Sequence, residues 1–191
     1  MDQSAMLQKV KKRLPEKRFN HVVGVVDTAT ELAQRFDVPE PKAQVAAILH
    51  DVAKFSDRDW MKSIIIEQNM DPLLLDYHAE LWHAPVGAYI AEKEFGVEDE
   101  DILNAIRYHT TGRAEMSDLE KVIYIADLVE PGRKFSGVEE LRQLKEQGLD
   151  VMMEASIKHT IDFLTSKNQP VYPDSLKCYE HFVQQKGNVK E

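Results

Sequence analysis

Residues 46–54 read Ala-Ala-Ile-Leu-His-Asp-Val-Ala-Lys and place an imidazole and a carboxylate side by side at the end of an apolar, alanine-rich segment. The segment has the pattern of a buried helix. Burying His50 and Asp51 without partners would cost roughly 2–7 kcal/mol for a neutral polar group and more for a carboxylate. A divalent metal ion would offset that cost. The stretch therefore predicts a helix whose end carries metal ligands.

Most of the remaining chain also has helical periodicity. The predicted helices cover residues 5–14, 21–36, 41–54, 57–68, 72–77, 85–95, 99–109, 117–129, 138–147, 150–166 and 173–186. Asp57 is the expected N-cap of the fourth helix, and Gly96 is the expected C-cap of the sixth. Alternating strand patterns are absent beyond a few residues, and the β-prone residues 22–26 are predicted to be helical. The sequence therefore predicts an all-α fold.

The chain has 191 residues, 43% of them hydrophobic and 30% charged, as expected for one globular domain. No linker rich in proline, glycine or serine divides it. We therefore expect a single-domain helical bundle over residues 1–191. Its core should lie at about residues 18–135, with C-terminal helices from residues 136–191 packing on it.

Charge and cysteine content limit the partners of the chain. The net charge is −9, without a basic stripe, which argues against nucleic acid but leaves a small anionic ligand open. Cys178 is the single cysteine, so neither an internal disulfide nor a cysteine-type zinc site is expected, and a reducing cytoplasm is favoured. The N-terminus has no apolar signal core, and no apolar run approaches the ~20 residues of a membrane span. We expect a cytoplasmic protein without membrane contact; an acidic surface with exposed helices also permits a homodimer.

Six side chains of metal-ligand type lie on or at the ends of the predicted helices. They are His21, His50, Asp51, His83, His109 and Asp127. Ligands from several helices of a bundle can converge on one interior point. His78 competes with His83, but its polar surroundings favour an exposed position. The pattern therefore predicts a metal centre inside the bundle.

Asp51 has two oxygens and can bridge two ions. One ion would take His21, His50, Asp51 and Asp127, and the other would take Asp51, His83 and His109. Ions about 3.5–4 Å apart can present a shared hydroxide to a phosphorus atom, so no serine or cysteine nucleophile is required. Mixed imidazole and carboxylate ligands suit iron, manganese, nickel, cobalt or zinc better than magnesium alone. The ligand residues do not determine which of these metals binds.

Five motifs surround these ligands. They are Arg18-Phe19-x-His21, His50-Asp51-x-Ala53-Lys54, Trp82-His83-Ala84-Pro85-Val86-Gly87-Ala88, Tyr108-His109-Thr110-Thr111-Gly112 and Ile125-Ala126-Asp127-Leu128-Val129-Glu130-Pro131-Gly132-Arg133. Together, over about residues 18–179, they resemble the YqeK branch of the HD-domain metal-dependent phosphohydrolase superfamily. The resemblance implies an HD-type helical bundle, a bound metal centre with iron favoured, and symmetrical hydrolysis of diadenosine tetraphosphate to two ADP. Residues 172–174, Tyr-Pro-Asp, replace the histidine-proline start expected there.

The tetraphosphate implied by this resemblance is strongly anionic, and the chain offers groups to hold it. Asp51 and Lys54 are the expected catalytic residues, with Lys54 placed four residues beyond His50 on the same helix face. Thr110 also offers a hydroxyl. The expected substrate-binding residues are Arg18, Lys54, Thr111, Arg113 and Arg133.

Three other functions are compatible with the same residues. Another HD-type phosphohydrolase could act as a nucleotidase, a cyclic dinucleotide phosphodiesterase or a (p)ppGpp hydrolase. A nucleotide-sensing module could hold metal and nucleotide without turnover, although the complete ligand set and Lys54 argue against it. A structural metal site is a weaker alternative, because six candidate ligands exceed the four of a closed zinc site.

Overall fold

Ten α-helices account for most of residues 2–188, which this computed structural model describes, with side chains described as far as Gln185. They are α1 (Gln3–Arg13), α2 (Glu16–Arg35), α3 (Glu40–Leu49), α4 (Arg58–Glu67), α5 (His83–Phe95), α6 (Glu100–Arg107), α7 (Asp118–Val129), α8 (Val138–Gln143), α9 (Leu149–Ser166) and α10 (Pro173–Asn188). Three short 3-10 segments cover Pro72–Asp76, Ala79–Leu81 and Leu144–Glu146. Residues 2–188 contain no strand, which confirms the predicted all-α fold.

Helix boundaries follow the capping residues in the sequence. The side chain of Asp57 accepts a hydrogen bond from the Trp60 amide at 2.9 Å, and so it caps α4 as predicted. Gly96 ends α5 in the left-handed conformation, with φ at 69°, which confirms the predicted C-cap. Ser117 caps α7 by accepting from the Glu120 amide at 3.2 Å. Local chemistry therefore fixes the start of α4, the end of α5 and the start of α7.

The start of α2 differs from the sequence prediction. His21 was expected to open this helix, but the helix begins at Glu16, immediately after Pro15. The Pro15 carbonyl accepts from the amides of Arg18 and Phe19, each at 2.9 Å, and this adds a turn before the histidine. His21 therefore lies on a formed helix and not at a fraying end. Residues 22–26 are helical, as predicted.

The end of α3 also differs. The helix was expected to continue to Lys54, but it ends at Leu49, and residues 50–55 form successive turns. In a continuing helix the Ala47 carbonyl would accept from the Asp51 amide. Instead, Nδ1 of His50 lies 2.7 Å from that carbonyl oxygen. The prediction that His50 and Lys54 share a helix face is therefore wrong.

The bundle is built around α2, α3 and α7. Helix α2 packs against both α3 and α7, while α6 contacts α3, α5 and α7. Helix α9 lies on α7, and α10 lies on α9, so the C-terminal helices cover one side of the bundle. One apolar cluster runs through all of these layers, from Ile48 in α3 and Ile123 in α7 to Met153 in α9 and Phe182 in α10. The fold is a single helical bundle, and the division of it at residue 135 stays a prediction.

Three of the helices present their ends to the interior of the bundle. His50 follows the last residue of α3, His83 is the first residue of α5, and Asp127 lies in the last turn of α7. Among the described residues, no helix combines the length and apolar character needed to cross a bilayer. The fold therefore brings ligand-type side chains from separate helix ends towards one region.

Candidate metal centre

Asp51 lies at the centre of a cluster of imidazole nitrogens and is only 2% exposed. Its Oδ2 atom is 3.3 Å from Nε2 of His50 and 3.7 Å from Nε2 of His21. Its Oδ1 atom is 3.1 Å from Nε2 of His83 and 3.8 Å from Nε2 of His109. Each carboxylate oxygen therefore faces its own pair of histidines.

Asp127 joins the Oδ2 side of this cluster. Its Oδ1 atom is 3.0 Å from Nε2 of His21 and 3.9 Å from Nε2 of His50. On the opposite side, Nε2 of His83 and Nε2 of His109 are 3.1 Å apart. The structure thus brings together all six side chains singled out in the sequence. Their division between two ions stays a prediction, since His50 and His109, expected at different ions, also lie with Asp51 within 4.8 Å of one another.

His78, the competitor of His83, has a different role. Its Nδ1 atom accepts a hydrogen bond from the Glu80 amide at 3.2 Å and caps the 3-10 segment Ala79–Leu81. The imidazole is therefore used as a local cap, whereas His83 turns its Nε2 atom towards Asp51.

The Nδ1 atoms of the four histidines in the cluster are in hydrogen-bond contact with other protein groups. In three of them Nδ1 lies 2.6–2.8 Å from the carbonyl oxygen three residues earlier in the chain. These pairs are His50 with Ala47, His83 with Glu80, and His109 with Ile106. Donation from Nδ1 to a carbonyl fixes the tautomer that leaves Nε2 as a metal-binding lone pair. The imidazoles are therefore oriented for ligation before any ion binds.

His21 is oriented by a carboxylate that was not among the predicted site residues. Oε1 of Glu130, a buried side chain, is 3.0 Å from Nδ1 of His21. Oε2 of Glu130 accepts from the Gly132 amide at 2.5 Å. A Cβ atom at Gly24 would lie 2.7 Å from Oε2, so this glycine within α2 leaves room for the carboxylate. A glycine inside a valine-rich helix and a glutamate in an apolar run were the available signals.

The electrostatics of the cluster depend on burial and on mutual contacts. Burial raises the pKa of Asp51, but His50 and His83 outweigh it and hold that pKa well below its usual range. Burial lowers the pKa of His50, but the Asp51 carboxylate outweighs it, and the net shift is upward. Burial and the neighbouring His83 and His50 lower the pKa of His109 to about 3. Metal ligation requires unprotonated imidazoles, so an ion at the cluster would compete with protons for the His50 ring.

The donor set fits a divalent metal. Nε2 of His21 and Nε2 of His50 are buried and lie 3.0 and 3.3 Å from carboxylate oxygens, but neither contact has the geometry of a hydrogen bond. A buried polar atom without a partner is costly, and an ion between these nitrogens and the Asp51 and Asp127 oxygens would satisfy both. His21, His50 and Asp127 offer ligand atoms within 4.8 Å of one another, and so do His50, Asp51 and His109. The cluster is therefore compatible with divalent metal binding, while the donor types leave the metal open.

Two of the expected substrate-binding cations contact the candidate ligands directly. Nη1 of Arg18 donates to Oδ2 of Asp51 at 2.9 Å, and Nη2 of Arg133 donates to Oδ1 of Asp127 at 2.6 Å. Both arginines are partly exposed, so each reaches from the cluster towards solvent. A role of Arg18 and Arg133 in binding the substrate stays a prediction.

Lys54 lies near the other side of the cluster. Its Nζ atom is 2.9 Å from Oε2 of Glu80, whose carbonyl oxygen in turn holds His83. The ion pair lowers the pKa of Glu80. Lys54 is therefore linked to His83 through Glu80. The predicted continuation of α3 to Lys54 did not indicate this contact.

The structure does not bring Arg113 to the candidate ligands. Its Nε and Nη2 atoms donate to the Glu120 carboxylate at 2.8 and 2.6 Å, and its guanidinium lies over the Tyr108 ring. Glu120 is only 1% exposed, a buried carboxylate that the sequence analysis did not single out. Thr111 is buried, and its hydroxyl donates to the Gly112 carbonyl at 2.9 Å. A phosphate contact by Arg113 or Thr111 stays a prediction.

Comparisons with known proteins agree with this geometry. The HD domain family model matches residues 18–132. The chain is 53% identical to "Bis(5'-nucleosyl)-tetraphosphatase, symmetrical" of Bacillus subtilis over 96% of this chain and 98% of that protein. It is 46% identical to the protein of the same name from Halalkalibacterium halodurans, over 96% and 98% of the two chains.

A solved structure supports the same conclusion. The crystal structure described as that of a predicted HD superfamily hydrolase involved in NAD metabolism, from Clostridium acetobutylicum, superposes with a TM-score of 0.92 at 34% identity. The match covers 97% of this chain and 98% of that one. The chain therefore belongs to the HD domain family, in the branch that includes the symmetrical bis(5'-nucleosyl)-tetraphosphatases.

Proposed function

We propose that this chain hydrolyses dinucleoside polyphosphates at their centre and converts diadenosine tetraphosphate to two ADP. The observation that carries the proposal is the two-sided position of Asp51, with His21 and His50 at one oxygen and His83 and His109 at the other. Full-length relatives that are 46–53% identical carry the corresponding name. A bridging carboxylate between two ligand groups suits hydrolysis of a phosphoanhydride.

The six clustered side chains would hold a dinuclear divalent centre. His21, His50 and Asp127 would serve one ion, His83 and His109 the other, and Asp51 both. Bound divalent ions would supply the nucleophile at neutral pH, since they lower the pKa of a coordinated water, and they would polarise the phosphoryl oxygens. Iron is our first candidate, with manganese, nickel, cobalt and zinc as alternatives suited to the same ligands.

The surrounding cations would bind and orient the tetraphosphate. Arg18 and Arg133 lie at the Oδ2 side of Asp51, and Lys54 lies beyond His83 near the Oδ1 side. Symmetrical cleavage breaks the central P–O–P bridge, so two equal halves must be held on opposite sides of that bridge. Cations on both sides meet this requirement, because each half carries its own phosphate charges. Glu130 would keep His21 oriented throughout.

The test is product analysis of diadenosine tetraphosphate with metal-reconstituted protein, separated by chromatography. We expect ADP alone, and in ¹⁸O-labelled water we expect one labelled oxygen per two ADP, on a terminal phosphate. The double variant His50→Ala, Asp51→Ala is the control and should lose both metal and turnover. AMP with ATP would move the scissile bond away from the centre, and full activity of the metal-depleted double variant would overturn the mechanism.

The same experiment separates the alternatives. Turnover of a nucleoside monophosphate, a cyclic dinucleotide or (p)ppGpp, with diadenosine tetraphosphate left intact, would assign another HD-type phosphohydrolase activity. Nucleotide binding without any product would assign a sensing module. A reducing cytoplasm suits the proposed nucleotide substrate and the single, buried Cys178, and we propose that location.

A further inference from the structure

The turn that follows α7 carries three side chains of the candidate centre. Asp127 lies in the last turn of the helix, Glu130 is the residue that caps its end, and Arg133 follows shortly after. Asp127 and Glu130 both contact His21, one at each ring nitrogen. The surroundings of His21 therefore depend on the path of the backbone through residues 127–133.

The guanidinium of Arg142, in α8, contacts that backbone at three points. Its Nε atom donates to the Val129 carbonyl at 2.8 Å. Its Nη2 atom donates to the carbonyls of Glu130 and Arg133, at 2.7 and 3.1 Å. Nη1 forms an ion pair with Glu139 of the same helix. Every nitrogen of this guanidinium thus has a partner, and two of the three nitrogens are used on the turn after α7.

We infer that Arg142 is a positioning residue of the metal centre, which holds the turn after α7 so that Glu130 keeps its contact with His21. This inference rests on the proposed function and adds to it a residue from outside the HD domain match, which ends at residue 132. The C-terminal helices were expected to pack on the core. One of them would then also support the metal ligands.

The Val129 carbonyl is one that the helix itself leaves free. The last carbonyls of an α-helix have no amide partner within the helix, and the helix C-terminus has a partial negative charge. Val129 is the last residue of α7. An arginine that donates to its carbonyl satisfies that group and interacts favourably with the helix dipole. Arg142 therefore stabilises the last turn of α7, in which Asp127 lies.

The contacts of Glu130 link the turn to His21. The Glu130 carbonyl accepts from Arg142 and also from the Arg133 amide, the latter at 2.9 Å. A Cβ atom at Gly132 would lie 2.9 Å from both carboxylate oxygens of Glu130, so this carboxylate lies directly against the backbone of the turn. A shift of the turn would therefore move the carboxylate relative to Nδ1 of His21, which it now meets at 3.0 Å.

Helix α8 is anchored to the rest of the bundle. Val138 and Leu141 are buried, and the helix contacts both α7 and α9. Between the turn and α8, the Phe135 ring stacks on His159 of α9, with the ring centroids 4.6 Å apart. Arg142 is therefore presented by a packed segment that can hold the turn in one position.

Lysine cannot reproduce the contacts of Arg142. A guanidinium has five N–H donors in a rigid planar fork, whereas an ammonium is a compact charge at the end of a flexible chain. Lysine would keep the positive charge near the C-terminus of α7 but would lose the donor at Nε and the fixed geometry. The substitution Arg142→Lys therefore separates the effect of charge from the effect of positioning.

The test measures the affinity of the metal-free, full-length chain for Co²⁺ by chelator competition, at a temperature at which every variant is folded. Arg142→Met removes the guanidinium. Arg35→Met is the matched control, because Arg35 donates to the Lys145 carbonyl and pairs with Glu146 elsewhere on the surface. We expect Arg142→Met to weaken Co²⁺ binding about tenfold, as for loss of a group that orients a ligand. Arg142→Lys should recover part of this loss, and Arg35→Met should bind as the wild type does.

A double variant shows whether Arg142 acts through Glu130. Arg142→Met should weaken Co²⁺ binding by a smaller factor in a Glu130→Gln background than in the wild type, because residues that act through one another are not additive. Equal factors in the two backgrounds would overturn the inference. Lower thermal stability of Arg142→Met with unchanged Co²⁺ affinity would assign a purely structural role and overturn it as well. If Arg142→Met does not fold, Arg142→Lys takes its place in the same comparison.

Turnover of diadenosine tetraphosphate separates this inference from the proposed function. Weaker Co²⁺ binding in Arg142→Met, with cleavage to ADP by the wild type, supports both. The same loss of Co²⁺ affinity in a protein whose wild type does not cleave the substrate supports the role of Arg142 and contradicts the function. Cleavage by the wild type with unchanged Co²⁺ affinity in the Arg142 variants contradicts the inference alone. A wild type that binds no Co²⁺ would overturn both.

Discussion

Nδ1 of His21 lies 3.0 Å from Oε1 of Glu130, so a buried carboxylate orients this imidazole. The other ring nitrogen, Nε2, faces Asp127. The other three histidines of the cluster use backbone carbonyls for the same purpose. A carboxylate partner raises the basicity of the imidazole as well as orienting it. His21 is thus the candidate ligand whose affinity for metal depends most on another side chain.

Replacing Glu130 by glutamine should therefore weaken metal binding without abolishing it. The substitution preserves the size of the side chain but removes its charge, and loss of such an outer partner typically lowers metal affinity about 10–100-fold. Chelator competition measures the change. Glu98→Gln, at an exposed position, serves as the control for loss of one negative charge. Equal metal affinity in Glu130→Gln and the wild type would show that Glu130 does not support the ligand.

Gly24→Ala should destabilise the protein although alanine favours helices. The gain in helix propensity is about 1 kcal/mol, but the new Cβ atom would lie 2.7 Å from Oε2 of Glu130 and push that carboxylate from His21. Thermal unfolding and metal content should both fall. In a Glu130→Ala background the same substitution meets no carboxylate, and we expect it to be neutral or stabilising there. Equal effects of Gly24→Ala in both backgrounds would contradict the proposed contact.

These two residues illustrate what the sequence reveals and what it does not. Asp127 was recognisable because a carboxylate within an apolar helix needs an interior partner. Glu130 stands in a similar apolar context, but its partner His21 is 109 residues away in the chain, and no local pattern encodes that pairing. Arg113 is close in sequence to its partner Glu120, but it lies before Ser117, the N-cap of α7, so helical spacing does not predict this pairing either.

The departures at the helix ends have a local physical origin. The helical spacing of apolar residues predicted that α3 would continue to Lys54. Such spacing does not show whether a side chain competes with the backbone amide for a carbonyl oxygen. The His50 ring takes the Ala47 carbonyl, and the chain then turns so that Lys54 reaches Glu80. The helical class and the candidate ligands were therefore predictable, whereas the contacts of the cations depended on where each helix ends.

Metal stoichiometry should distinguish the bridging carboxylate from a ligand on one side. Asp51 faces both histidine pairs, whereas His83 faces Oδ1 only. We expect two ions per chain in the wild type, about one in His83→Ala, and none in Asp51→Ala, as measured by elemental analysis after gel filtration. His78→Ala, at the neighbouring cap, should retain both ions. One ion in the wild type and none in His83→Ala would indicate a mononuclear centre.

Arg113→Ala should reduce stability, because it leaves the buried Glu120 carboxylate without its partner. Leaving a buried acceptor without its partner costs about 1–3 kcal/mol, which denaturant unfolding measures. Arg133→Ala is the matched comparison, because Arg133 is as exposed as Arg113 but its partner Asp127 is 22% exposed, against 1% for Glu120. Arg133→Ala should raise KM or lower kcat while metal content and stability are retained. If Arg113→Ala leaves stability unchanged and raises KM instead, Arg113 binds phosphate, and its pairing with Glu120 is of minor importance.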